Sequence, residues 1–231
     1  ESGISTNLSL KEIFLYSEAK YKIYFNDRFV VFSPESFIQI HDREISTFPM
    51  KGTIDAGIQD AGKIILSDKK EQAEHATIVD LMRNDLSIVA RQVSVKRYRY
   101  IDKINTSGKG LLQISSEISG FLRHEFYMRP GDILSSILPA GSISGAPKKK
   151  TIDIIHETEN YERGYFTGVF GIFDGENLDS AVMIRYIEKR DNELFFKSGG
   201  GITSFSQPEK EYQELVDKIY LPIPQYPLCN S

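Results

Sequence analysis

Phe166-Thr167-Gly168-Val169-Phe170-Gly171-Ile172-Phe173-Asp174, Ser180-Ala181-Val182-Met183-Ile184-Arg185-Tyr186-Ile187-Glu188 and Leu194-Phe195-Phe196-Lys197-Ser198 are three β-rich runs in close succession. Asp174-Gly175 and Asp191-Asn192 separate them, and Gly, Asn and Asp tolerate the backbone conformations of tight turns. Strands joined this way pair as antiparallel neighbours. Upstream, Pro147 to Thr158 predicts a helix with proline in its first turn. Downstream, Pro208 to Leu221 predicts a last helix that stops before Pro222 and Pro224. Nearer the amino terminus a helix precedes a hairpin, Lys20 to Phe25 and Phe29 to Phe32 about Asn26-Asp27-Arg28, and a short strand from Phe37 to Ile40 follows. Residues 69 to 90 carry Ala73, Ile78, Leu81, Met82, Ile88 and Val89, a pattern compatible with one helix or a broken pair. Val93 to Ile101 reads as a strand with one wet face, and Leu111 to Leu122 as a strand followed by a turn at Gly120. Helices and strands do not alternate as in a parallel βαβ sheet, so the expected class is α+β with largely antiparallel sheets. Residues 1–231 are expected to form a single domain, with 1–32 a partial amino-terminal portion and 222–231 a tail.

Composition narrows the function classes. A chain of 231 residues, 40% hydrophobic and 26% charged, can bury a sizeable core and is not disordered in bulk. Its 28 basic against 32 acidic residues leave a net charge of −4, which supplies no general drive toward nucleic acid or anionic lipid. Lys96-Arg97-Tyr98-Arg99-Tyr100 interleaves charge with aromatics as nucleic-acid readers do, but in an acidic chain it reads as the wet side of a strand. No run approaches the roughly 18 apolar residues that span a bilayer. Glu1-Ser2-Gly3-Ile4 carries no basic-then-apolar leader. One cysteine can make neither an internal disulfide nor a multi-thiolate zinc site. The expectation is a cytoplasmic protein with no nucleic-acid and no membrane partner.

Four features are able to carry chemistry. Glu71 and Glu74 are three residues apart, as are Glu211 and Glu214, so each pair shares one helix face. Four such carboxylates would make a hard-oxygen site suited to Mg2+, though the same spacing describes ordinary solvated faces. Ser198-Gly199-Gly200-Gly201-Ile202 is able to bring backbone N–H groups close to a carboxylate or phosphate, or is simply a flexible turn. Pro139 to Pro147, with Gly141, Ser142 and Gly145, opens the 147–158 helix and offers a second anion site. Lys51, in Pro49-Met50-Lys51-Gly52-Thr53, is a possible nucleophile or base, although Lys-Gly alone reads as a surface loop; Glu35 is ordinary in isolation. His41, His75, His124 and His156 have no metal-ligand spacing and read as solvated or structural.

Taken in order, these blocks resemble the chorismate-utilising enzymes. The matching stretches are Ser33-Pro34-Glu35, Lys51-Gly52-Thr53, Ala73-Glu74-His75 through Val79 to Leu86, Pro139 through Lys148, Gly168 to Gly171, Ile184-Arg185, Gly199 to Ile202, and Glu211 through Lys218. Each is weak alone; seven or eight in sequence are specific, and they span about Ser33 to Leu221. The resemblance implies a layered α/β sandwich with two antiparallel sheets and outer helices, amino-terminally short in this chain. It implies Mg2+ held by Glu74 and Glu214, with Glu71 and Glu211 completing an acidic cage around a carboxylate of chorismate. Arg185, Lys218, Ser142 and Gly199, Gly200 and Gly201 match substrate-carboxylate positions.

Within the family, lysine before Gly-Thr resembles the aminodeoxychorismate, isochorismate and salicylate synthases, where anthranilate synthases carry a small residue. The whole is most similar to aminodeoxychorismate synthase component I, which makes 4-amino-4-deoxychorismate from chorismate and ammonia on the route to p-aminobenzoate and folate. There Lys51 would attack ring C2 as the C4 hydroxyl leaves, with Glu35 as general acid and base. Isochorismate synthase, anthranilate synthase component I and a non-catalytic chorismate-binding module are the alternatives. Cys229 sits in a Pro-rich tail without a glutaminase motif, so ammonia is expected from a glutamine amidotransferase subunit or free in solution. Lys103, Tyr186 and Phe205 depart from the family's usual histidine, threonine and aspartate. The short amino-terminal part implies no tryptophan-binding pocket.

Overall fold

The computed structural model describes residues 1–105, 110–204, 206–221 and 223; Phe205, Cys229 and most of the 222–231 tail lie outside them. The chain order is β1 (Ser2–Ile4), α1 (Leu10–Tyr16), β2 (Tyr21–Phe25), β3 (Phe29–Ser33), β4 (Ser36–His41), β5 (Glu44–Thr47), β6 (Met50–Asp55), α2 (Ala61–Ser67), α3 (Lys69–Val89), β7 (Ala90–Asn105) and β8 (Gly110–Leu122). After a 3-10 turn at His124–Phe126 come α4 (Pro130–Ile137), α5 (Gly141–Ser144), α6 (Lys148–Thr158), β9 (Val169–Phe173), β10 (Leu178–Val182), β11 (Tyr186–Arg190), β12 (Glu193–Lys197) and α7 (Pro208–Asp217).

The described residues divide into two compact units. The smaller joins residues 1–35 to those from 183 onward, and the larger holds 36–105 and 110–182. Each unit has its own sheet. The smaller carries a five-stranded sheet, β1-β12-β11-β3-β2; the larger carries β6-β8-β5-β4-β10-β9 with β7 on β8. The pairings are antiparallel. The α+β class with two antiparallel sheets and helices is therefore what the chain adopts.

The 166–198 stretch departs from its three-strand reading in one respect. Ser180–Glu188 is not one strand: β10 ends at Val182 and β11 begins at Tyr186. Arg185 between them has φ +55°, a left-handed conformation that cannot continue an extended strand. The stretch thus makes two hairpins, β9–β10 in the larger unit and β11–β12 in the smaller. The predicted β2–β3 hairpin forms, with Asn26 and Asp27 both at positive φ, as a tight hairpin turn requires.

In the smaller unit, α1 begins with a capping box. The Glu12 N–H donates to Ser9 Oγ (3.2 Å) and the Ser9 N–H to Glu12 Oε2 (2.8 Å). Leu10 and Ile13 then pack with Val30, Phe32, Ile187 and Phe196 into its core. In the larger unit, residues 69–89 form one unbroken helix whose His75, Ile78, Val79, Met82, Leu86 and Val89 are buried. These lie toward β7 and β8, where Ile114, Ile118 and Leu122 are also buried. Gly120 is not a turn but lies within β8. A Cβ there would stand 2.8 Å from Val93 Cγ2 and 3.0 Å from the Arg91 carbonyl oxygen, where β7 bulges against it. Two helices differ slightly from expectation: Pro147 is the N-cap of α6, not within its first turn, and α7 ends at Asp217, short of Leu221.

Candidate active site

In the larger unit, Lys51 and Gly52 lie in β6, not in a surface loop. The β6–β8 register shifts between Lys51 and Thr53, so Gly52 is the extra residue of a bulge, with φ +75°. The bulge presses the backbone onto α3: a Cβ at Gly52 would lie 2.8 Å from Glu71 Oε2 and 3.5 Å from Ile65 Cδ1. Lys51 pairs across the ladder with Ile114, and its Nζ lies 3.8 Å from Glu74 Oε2. Lys70 Nζ approaches the other oxygen, Glu74 Oε1, at 3.7 Å.

Asp68 fixes the first turn of α3, its Oδ1 accepting from the N–H groups of Lys70 (2.8 Å) and Glu71 (3.0 Å). Glu71 and Glu74 then emerge on one face. Burial first, then the charges of Glu74 and Asp68, push the Glu71 carboxyl above its usual range, against Lys51 and Lys70. Glu71 thus bears an uncompensated cost of burial, while Glu74 has Lys51 and Lys70 within 4 Å. As a donor set, two carboxylates on one helix face suit a hard cation such as Mg2+, which commonly takes one or two carboxylates and keeps several waters. Among the described residues, no group of three or more His, Cys, Asp and Glu side chains is placed to hold a metal.

His75, beside this pair, is buried and structural. Its Nε2 shares a 2.7 Å hydrogen bond with Ser116 Oγ, which also accepts the Arg99 N–H at 2.9 Å. Burial first, then Arg99 and Lys51, lower its pKa to about 4. It ties α3 to β8 as a neutral imidazole. Farther along α3, Lys148 Nζ donates to both oxygens of Asp85 at 2.7 Å and to the Ile137 carbonyl at 3.0 Å. Ser142, half-buried in α5, lies in the segment between those anchors. Sequence reasoning missed this clamp; its signal was a lysine after Gly145-Ala146-Pro147 and an aspartate on the helix that carries Glu71.

In the smaller unit, α7 and the end of β12 assemble the other predicted residues. Lys218, the C-cap of α7, donates from Nζ to Glu214 Oε1 (2.5 Å) and to the Gly199 carbonyl (3.0 Å). A Cβ at Gly200 would lie 3.7 Å from Glu211 Oε2, and one at Gly199 would meet nothing within 4 Å. Neither glycine has the left-handed φ that an anion nest uses, so neither the fold nor the turn demands glycine there. Arg185 lies at the strand break, its guanidinium 5.7 Å from the Tyr220 ring centre, and its buried Nε has no hydrogen-bond partner among the described residues. Glu35 is half-buried in the two-residue link between β3 and β4, its N–H donating to Ser33 Oγ at 3.1 Å.

Lys51, Glu71 and Glu74 thus come together in one unit, and Glu211, Glu214, Lys218, Gly199 and Gly200 in the other. A cavity of about 440 Å³ lined by Arg43, Leu122, Tyr127 and Asn177, among others, contains none of these residues.

A family model described as chorismate binding enzyme matches residues 4–224. An uncharacterised PabA-like protein of Pasteurella multocida is 56% identical over 220 residues, 95% of this chain and 68% of that protein. Anthranilate synthase component 1 of Aquifex aeolicus is 37% identical over 195 residues, 80% of this chain but 38% of its own length. The crystal structure of anthranilate synthase component I from Streptococcus pneumoniae superimposes with a TM-score of 0.77 at 27% identity, over 90% of this chain and 47% of that one. The chain spans about two thirds of the first relative and less than half of the other two. Among the described residues no helix is long and apolar enough to cross a membrane.

Proposed function

Because the chain belongs to the chorismate-binding enzyme family, we propose that it is the chorismate-aminating component of an aminodeoxychorismate synthase. The reaction is chorismate plus ammonia to 4-amino-4-deoxychorismate and water, and the cytoplasm is its expected place. The observation that carries this reading is Lys51, a primary amine held on the α3 face of β6 with its nitrogen 3.8 Å from Glu74.

In this reading Glu74 and Glu214, with Glu71 and Glu211, are the carboxylates that would hold Mg2+, which when bound would offset the repulsion between these acids and a dianionic substrate. Arg185, Lys218, Ser142 and the Gly199–Gly201 backbone receive carboxylate oxygens, a guanidinium being suited to bidentate contact. Lys51, deprotonated, forms a bond to ring C2 while the C4–O bond breaks and Glu35 donates the proton that lets the hydroxyl leave as water. The lysine nitrogen, now a secondary ammonium, keeps its proton. Ammonia then bonds to C4 as the C2–nitrogen bond breaks, its electron pair returning to Lys51 as a neutral amine, and Glu35 takes a proton from the new C4 ammonium; both side chains are regenerated. Ammonia comes from a glutamine amidotransferase partner, and a separate lyase removes pyruvate from the product.

A second reading, anthranilate formation, is favoured by the likeness to the Aquifex anthranilate synthase component. One assay separates them. The protein is incubated with chorismate and Mg2+, with and without ammonium, and the products are resolved by chromatography. An amino product that keeps its enolpyruvyl group, formed only with ammonium, is expected. Anthranilate would establish the second reading, and isochorismate formed without ammonium would overturn both. Calorimetric binding without turnover, even with an amidotransferase added, would leave only a chorismate-binding module.

A further inference from the structure

The Asp85–Lys148 clamp has no part in the chemistry above, yet its placement is specific. The Lys148 ammonium makes three hydrogen bonds, two to the Asp85 carboxylate at 2.7 Å and one to the Ile137 carbonyl at 3.0 Å. That carbonyl belongs to the last residue of α4, where helix oxygens lack an intrahelical partner. The two side chains are only 22% and 14% exposed, so water screens the pair weakly. Burial raises the Asp85 pKa, and the hydrogen bond and charge of Lys148 oppose the rise.

The same carboxylate also touches the other end of the segment. A Cβ at Gly141 would lie 2.9 Å from Asp85 Oδ2 and 3.2 Å from Leu81 Cγ and Cδ2. Only glycine lets the backbone rest directly on α3 there. Residues 141 to 148 are therefore registered on α3 twice, entering at Gly141 and leaving at Lys148, with one aspartate at both points. Ser142 follows the first contact by one residue. Glu71 and Glu74 project from the same helix, 14 and 11 residues before Asp85. A shift of the clamp would move Ser142 relative to those carboxylates without altering any of them.

We infer that Asp85 and Lys148 are positioning residues that fix where Ser142 stands along the α3 helix that also bears Glu71 and Glu74, for binding a substrate carboxylate. This rests on the reading of Ser142 as a chorismate contact. The experiment is calorimetric titration of wild type, Asp85→Asn, Lys148→Arg, Ser142→Ala and the Asp85→Asn/Ser142→Ala double variant with chorismate and Mg2+, after a thermal melt confirms each is folded. Asp85→Asn and Ser142→Ala are each expected to weaken binding about tenfold (about 1.4 kcal/mol). The double variant should be no weaker than about twofold beyond either single one, because both act through the same contact. Lys148→Arg, which can still grip a carboxylate with two N–H groups, should bind within about threefold of wild type. In turnover, the loss should fall on KM with kcat changed less than about threefold.

Wild type that does not bind chorismate would overturn the functional reading itself. Wild type that binds, with a folded Asp85→Asn that binds equally well, would overturn this inference alone. Additive losses in the double variant would do the same, since a clamp that only stabilises the fold has no reason to couple to Ser142. If Asp85→Asn does not fold, Lys148→Met decides by the same criteria at a temperature below its melt.

Discussion

Helices α3 and α7 carry the same motif, two glutamates three residues apart, yet the fold puts the pairs in different physical states. The α3 pair stands at the start of a 21-residue helix capped by Asp68, and Glu71 begins the stripe along which six residues of that helix are buried. Glu71 is pressed by Gly52 and raised in pKa by burial and by Glu74. The α7 pair stands on a 10-residue helix with no side-chain cap and no buried residue. Glu214 is half exposed and neutralised by Lys218 one turn later. Spacing therefore decides only that two carboxylates share a face. Whether they bear electrostatic strain depends on what the rest of the unit packs against them.

That contrast can be broken or sharpened experimentally. The largest expected effect is on turnover. Lys51→Ala, beside the α3 pair, should cut formation of the amino product by at least about 1,000-fold, about 4 kcal/mol of barrier. Lys218→Ala, beside the α7 pair, should mainly raise KM, by about tenfold. Equal losses in kcat from both, in steady-state assays, would contradict the assignment of Lys51 as nucleophile.

The buried side of α3 sets the next effect. The His75 of the unfolded chain binds a proton near 6.5, while the folded one resists until about 4. Between these values the unfolded state holds more protons, so stability falls as pH drops through the window, by about 3 kcal/mol in full. Above pH 6.5 this contribution to pH dependence vanishes. Denaturant melts from pH 7 to pH 4 should show a steeper loss for wild type than for His75→Gln. α7 contains no counterpart.

Glycines beside the two pairs come third. Gly52→Ala forces a left-handed residue and a clash with Glu71, costing about 2 kcal/mol. Gly200→Ala, with 3.7 Å of room and ordinary φ, should stay within about 0.5 kcal/mol. Thermal melts of the two variants would test the difference, and similar losses would mean the α7 side is as tightly packed as α3.

The smallest effects concern the carboxylates themselves. The raised pKa of Glu71 penalises the fold once its carboxyl ionises, so stability declines as pH rises from 4.5 through the folded value. Glu71→Gln should therefore melt higher than wild type at pH 7 in EDTA, and equally at pH 4. Glu214→Gln should lose about 0.5 kcal/mol or less, the usual worth of an exposed pair. A Glu71→Gln variant less stable than wild type at pH 7 would show that the carboxylate is compensated after all.

Much of this was legible in the residues. Turn pairs at Asn26-Asp27, Asp174-Gly175 and Asp191-Asn192 placed three hairpins, because those residues accept turn conformations at little cost. The motif order from Ser33-Pro34-Glu35 to Lys218 pointed to the family. What escaped was decided by contacts distant in sequence. Ser180–Glu188 looked like one strand because its apolar pattern runs through Arg185, and side chains do not reveal a residue held left-handed by its surroundings. Gly120 looked like a turn, although its glycine serves the close approach of Val93 and Arg91. The Asp85–Lys148 clamp joins residues 63 apart, a separation that no local pattern encodes.

The sequence by itself determined the α+β class, the hairpins and the pairing of carboxylates on helix faces, since all follow from periodicity and turn chemistry over a few residues. Only the tertiary structure decided that the strand-rich 166–198 stretch serves two sheets, that Lys51 lies on a bulged strand facing Glu74, and that Glu71 and Glu214 differ in state. Those outcomes depend on burial and on charges brought together from remote positions, and desolvation exists only once the chain has folded.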